Sequence, residues 1–121
     1  MSQLQLSSHE AVKDLLEDLI VEAPGLVVLF TESSCHVGEA VAPKLEAMLH
    51  QRFPAVRHTV VSQSDSPELF AQLGVFVFPT VITWFGGKES ARFTRSFSLD
   101  AVAQSIERPY EVLFGDAPMG R

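Results

Sequence analysis

A chain of 121 residues that is 46% hydrophobic and 20% charged has the size of one ordinary domain and enough apolar material for a core. Its formal net charge of −6, with no cluster of lysine or arginine, disfavours nucleic acid and anionic membrane surfaces as partners. The longest apolar runs, Gly25 to Phe30 and Val75 to Phe85, are too short or too interrupted to span a bilayer, no basic-then-apolar leader precedes them, and the single cysteine cannot form an internal disulfide. The expectation is one soluble, cytoplasmic domain over 1–121, with 115–121 as a flexible tail.

In chain order, Gln3 to Leu6 reads as a short strand. Ser7 and Glu10 have capping-box spacing ahead of Val12, Leu15, Leu16, Leu19 and Ile20, which recur at helical period until Pro24-Gly25. Leu26 to Phe30 is the continuous apolar run that a strand buried on both faces requires. From Cys35 to about Arg52, the residues Val37, Ala40, Val41, Leu45, Met48 and Leu49 trace one face of a helix kinked at Pro43. Val56 to Ser62 is rich enough in β-branched residues for a strand. Asp65-Ser66-Pro67-Glu68 then opens a short helix through Leu69, Phe70 and Leu73, which Gly74 closes. Thr80 to Phe85 and Ala91 to Phe97, flanking Gly86-Gly87-Lys88, predict an antiparallel hairpin. Ser98 caps a last helix whose stripe is Leu99, Val102, Ala103 and Ile106. Arg108-Pro109 is expected to break it, with Tyr110, Val112, Leu113 and Phe114 folding back onto the core.

The chemistry concentrates in Ser34-Cys35-His36-Val37-Gly38-Glu39. A thiol where a strand gives way to a helix meets unpaired backbone N–H groups and the positive end of the macrodipole, both of which favour thiolate. His36 adds to that when protonated, and Glu39 opposes it, so the two are candidate modulators of Cys35. Gly38 stands where a Cys-x-x-Cys motif places its second sulfur. The alternative for Cys35 is a small residue tolerated at a helix start. His9, His50 and His58 lack metal-ligand spacing, so no metal and no cofactor are expected. In Val75-Phe76-Val77-Phe78, four apolar residues ahead of Pro79 cannot all face the core, so part of this run is expected to be exposed as an apolar contact surface.

This order of elements resembles the thioredoxin family, as do Phe30-Thr31-Glu32-Ser33-Ser34-Cys35 ahead of the helix, Ala42-Pro43 within it, Phe78-Pro79-Thr80 opening the fourth strand and Gly87 in the hairpin turn. It is similar to small bacterial thioredoxin-like proteins with a Cys-x-Val-Cys motif and an aromatic-leucine-phenylalanine ending, here Tyr110 to Phe114. The resemblance implies an α/β thioredoxin fold: a central mixed sheet of about five strands, helices on both faces, and Pro79 as a cis-proline before the fourth strand. It further implies a role in cell redox homeostasis and a groove of Val37, Phe76, Val77, Phe78, Pro79 and Arg95 beside Cys35. Four departures touch the dithiol cycle: Gly38 for the resolving cysteine, Ser34 for a tryptophan, Leu29 for a buried aspartate and Arg95 for a groove glycine. The expected function is therefore binding of a protein or peptide in the groove, as a monomer or homodimer, with at most monothiol redox activity through Cys35. The rivals are a glutathione-linked monothiol thiol-disulfide oxidoreductase, for which Arg95 is the one candidate cation, and a cysteine-independent chaperone-like module.

Overall fold

Leu26, Val27, Val28, Leu29 and Phe30 are all fully buried, and the rest of the fold is built outward from them. The computed structural model describes residues 8–34 and 36–115. In chain order they form α1 (Ser8–Glu22), β1 (Gly25–Thr31), α2 (His36–Arg52), β2 (Arg57–Ser62), a short 3-10 turn (Gln63–Asp65), α3 (Pro67–Leu73), β3 (Thr80–Phe85), β4 (Lys88–Thr94) and α4 (Leu99–Phe114). Because successive strand side chains point to opposite faces, Leu26, Val28 and Phe30 enter a core closed by α1 and α3, while Val27 and Leu29 enter one closed by α2 and α4. Phe30 is held edge-on by Phe70 and Trp84, at ring-centre distances of 5.1 and 6.4 Å.

The sheet order is β2-β1-β3-β4. β1 runs parallel to β2, as the α2 crossover demands, and antiparallel to β3, which pairs antiparallel with β4. Among the described residues the mixed sheet thus has four strands rather than about five. The strand expected at Gln3 to Leu6, the Ser7 cap and residues 116–121 of the expected tail lie outside the described residues. No helix among the described residues is long and apolar enough to cross a membrane.

Three expectations are corrected by tertiary contacts. β4 begins at Lys88, not Ala91, and ends at Thr94 rather than Phe97. A two-residue Gly86-Gly87 loop, with φ of 63° and 82°, pairs Phe85 directly with Lys88, and β4 lies at the sheet edge where its charged residues can face water. Second, α4 runs through Pro109 to Phe114. What offsets the hydrogen bond lost at the proline is packing against the end of α2: Tyr110 lies edge-on to Phe53 at 5.1 Å and stacks on Phe114 one turn later at 4.9 Å. The Ala55 N–H donates to the Tyr110 hydroxyl at 3.3 Å, and Arg52 pairs with Glu107 at 3.0 Å. Val112 and Leu113 do not fold back onto the core; they are 76% and 44% exposed. Third, Leu15 of α1 is exposed, because the apolar stripe that meets the sheet is Val12, Leu16, Leu19 and Ile20.

His58 of β2 makes stability depend on pH. Its Nδ1–H donates to the Val27 carbonyl at 3.2 Å. Burial pushes its pKa below the usual 6.5, outweighing that hydrogen bond and Glu46, which act the other way. Folding therefore favours the neutral ring. That contribution is present above about 6.5, where the unfolded histidine is also neutral, and is lost as pH falls through the lower folded value. The melting temperature of the wild type should drop between pH 7 and pH 5, and His58→Gln, which keeps a donor for Val27, should show a shallower drop.

Candidate functional site

The strand register decides which loops meet. Phe30 pairs with Thr80, and Thr80 pairs with Thr94, so the segments after Thr31, before Thr80 and after Thr94 all emerge at one end of the two central strands. The first turn of α2 starts there and projects beyond the core. Val37 is 57% exposed and Ala40 is exposed, whereas Leu45 and Leu49 farther along the same helix are buried. Cys35 lies outside the described residues; Ser34 and His36 on either side of it are exposed. Nδ1 of His36 is 3.7 Å from Oε1 of Glu39, so the two expected thiol modulators face each other across the first turn, both in solvent. Gly38 is buried within that turn.

The loop between α3 and β3 divides its four apolar side chains. Gly74 ends α3 in the left-handed region at φ 71°, Val75 drops into the α1/α3 core, and Phe76 turns outward with 73% of its surface exposed. Val77 is half-buried, and its carbonyl accepts a 2.6 Å hydrogen bond from the Thr80 hydroxyl. Phe78 packs its ring 5.7 Å from Phe70 and belongs largely to the core, and Pro79 is buried, with the Phe78–Pro79 peptide cis. Of the residues expected to line the groove, Val37 and Phe76 thus present exposed apolar surface and Val77 presents part of its own. Phe78 and Pro79 shape the loop from beneath.

Arg95 follows β4 at the same end. Its N–H donates to the Pro79 carbonyl at 2.7 Å, and its backbone sits at φ 66°, where a side-chain-bearing residue costs roughly 1–2 kcal/mol. The turn this permits lets Phe97 stack back on Phe93 at 6.0 Å. The left-handed backbone of Arg95 was not expected from the sequence; the signal was the glycine that the resemblance places at this position. The Arg95 side chain is exposed and its guanidinium has no partner among the described residues. Leu29, standing in for a buried aspartate, is fully buried in the α2/α4 core. No group of histidine, cysteine or acidic residues among those described could hold a metal ion. A cavity of about 340 Å3 between α1 and β2, lined by Val12, Leu15, Val60 and neighbours, shares no residue with Val37, Phe76, Val77, Phe78, Pro79 or Arg95.

A mixed sheet with helices on both faces, and a helix N-terminus meeting an X-Pro turn at one end of its central strands, defines the thioredoxin fold. Among solved structures, thioredoxin 1 of Thermosipho africanus TCF52B is 32% identical with a TM-score of 0.65, over 73% of this chain and 97% of that one. Fasciola hepatica thioredoxin is 30% identical with a TM-score of 0.67, over 77% and 89%. The curated relative 5'-adenylylsulfate reductase-like 7 of Arabidopsis thaliana is 33% identical over 73 residues, and this chain spans 25% of its length. No family model matches the chain. The chain belongs to the thioredoxin-like family.

Proposed function

We propose that this protein binds a polypeptide segment at the end of the sheet where α2 begins, against Val37, Phe76 and Val77, with redox chemistry limited to single-thiol reactions of Cys35. The observation that carries the reading is the exposure of Phe76, a large aromatic side chain left 73% open beside an already buried Val75. Exposed apolar surface of this kind supports a contact site, and Val37, 57% exposed, opens the helix that begins at the same end of the central strands. The thiol side follows from stoichiometry. A Cys35 thiolate attacking a disulfide forms a mixed disulfide and releases the other sulfur as a thiolate; regenerating Cys35 then needs a second thiol to attack that bond. The 121 residues contain one cysteine, so that thiol must come from outside them.

Binding and thiol chemistry separate cleanly by mutation. Phe76→Glu should abolish peptide binding while changing stability by no more than roughly 0.5 kcal/mol, as for other solvent-facing substitutions. Cys35→Ser should leave non-covalent binding intact. Isothermal titration with a peptide selected on the wild type, alongside urea unfolding, reads both. Loss of stability in Phe76→Glu without loss of binding would assign that ring to the core, and loss of binding in Cys35→Ser would make the monothiol enzyme the better reading.

A further inference from the structure

The loop that carries the exposed Phe76 is tied through its backbone to a residue with a basic side chain. Arg95 is bonded through its N–H to the Pro79 carbonyl, three residues from Phe76, and the Thr80–Thr94 pair fixes the same register one step away. Arg95 also holds a left-handed backbone, φ 66°, which glycine adopts freely and arginine does not. The turn itself gives no reason for a long side chain, since the Phe93–Phe97 stack needs only the backbone reversal. Nor does an internal ion pair: Arg52 is engaged by Glu107 and Arg92 by Glu89, but the Arg95 guanidinium has no partner among the described residues. A strained backbone at this end of the sheet, carrying a guanidinium unpaired among the described residues, points to recognition.

We infer that Arg95 makes the groove selective for a protein segment carrying an aspartate or glutamate beside an apolar residue. The apolar side chain covers Phe76 and Val37, and the carboxylate receives the guanidinium fork. Charge elsewhere sharpens the requirement. The chain is net −6, and Glu32 and Glu39 stand at the α2 side of the same end, so a generally acidic ligand is repelled; a segment with one carboxylate placed at Arg95 is not. A basic residue in the ligand would be accommodated on the α2 side and rejected at Arg95.

This inference rests on the groove reading above, and the test keeps the two apart. A random heptapeptide phage library is panned on the full chain, on Arg95→Gln and on Phe76→Glu. Wild type should enrich sequences pairing Asp or Glu with an apolar neighbour, Arg95→Gln should enrich apolar sequences without the acid, and Phe76→Glu should enrich nothing. For one enriched peptide, Asp→Asn should weaken binding to wild type roughly two- to fivefold, the effect of one exposed ion pair, and should leave binding to Arg95→Gln unchanged. Enrichment of apolar sequences without acids on wild type would overturn the role of Arg95 and leave the groove standing. Equal, featureless panning on wild type and Phe76→Glu would remove the groove and this inference with it. Displacement of the peptide by reduced glutathione from wild type but not from Arg95→Gln would transfer the carboxylate site to glutathione and overturn the assignment to a protein segment.

Discussion

Leu29→Asp is expected to destabilise the protein by roughly 3–5 kcal/mol at neutral pH. Leu29 is fully buried in the centre of β1, paired in register with Val60 and Val81, and packed in the cluster of Leu45, Leu49, Val102 and Ile106. The substitution removes the leucine's contacts and puts a carboxyl group among aliphatic side chains, where its charged form is disfavoured. The sign of the pH dependence follows. A carboxyl whose folded pKa is raised above its unfolded value is tolerated best below the unfolded value of about 3.9, and its penalty grows as pH rises through the folded value. Urea unfolding of Leu29→Asp should therefore give a lower midpoint at pH 8 than at pH 5, while Leu29→Ala should show no such added slope. A loss below about 1 kcal/mol would mean that the interior of α2 and α4 here offers polar partners or water to a carboxylate. The position reserved for a proton-relaying acid in the resemblance is, in this chain, committed to the core.

The parts of the fold that were legible in the sequence are those whose physics is local. The run Leu26 to Phe30 needed no partner to be recognised as a doubly buried strand, and Gly86-Gly87 supplied both left-handed residues of the hairpin loop. The continuation of α4 through Pro109 was not legible, because Phe53 and Ala55, which hold Tyr110, lie 55 or more residues away in the chain. The start of β4 was hidden for a different reason: an edge strand can keep Lys88, Glu89 and Ser90 in solvent and so shows no apolar alternation. At the site, the outward turn of Phe76 followed from four apolar residues in a row after Gly74. The inward packing of Phe78 did not, since it depends on Phe70 being presented by α3. The left-handed backbone of Arg95 was beyond reach from propensity alone, because arginine has none for that region.

Gly38→Cys is expected to show a disulfide-reducing turnover well above that of the wild type. Position 38 is three residues after Cys35 in the sequence, the Cys-x-x-Cys spacing at which one sulfur can attack a bond held by the other. An internal thiol so placed acts at an effective concentration far above that of an external thiol, so the gain should be at least about tenfold. It should remain below that of a full dithiol site, because Leu29 cannot carry a proton. Gly38 is buried, so the introduced thiol starts partly shielded, which also limits the rate. The measurement is the reduction of insulin disulfides with dithiothreitol as the recycling reductant, comparing wild type, Gly38→Cys and the Gly38→Cys, Cys35→Ser double variant. A site that binds but cannot complete a dithiol cycle predicts wild type and the double variant at the rate of dithiothreitol alone, with Gly38→Cys clearly above both. Wild-type turnover equal to that of Gly38→Cys would contradict the account, because it would show that Cys35 completes the cycle without a second cysteine in the chain.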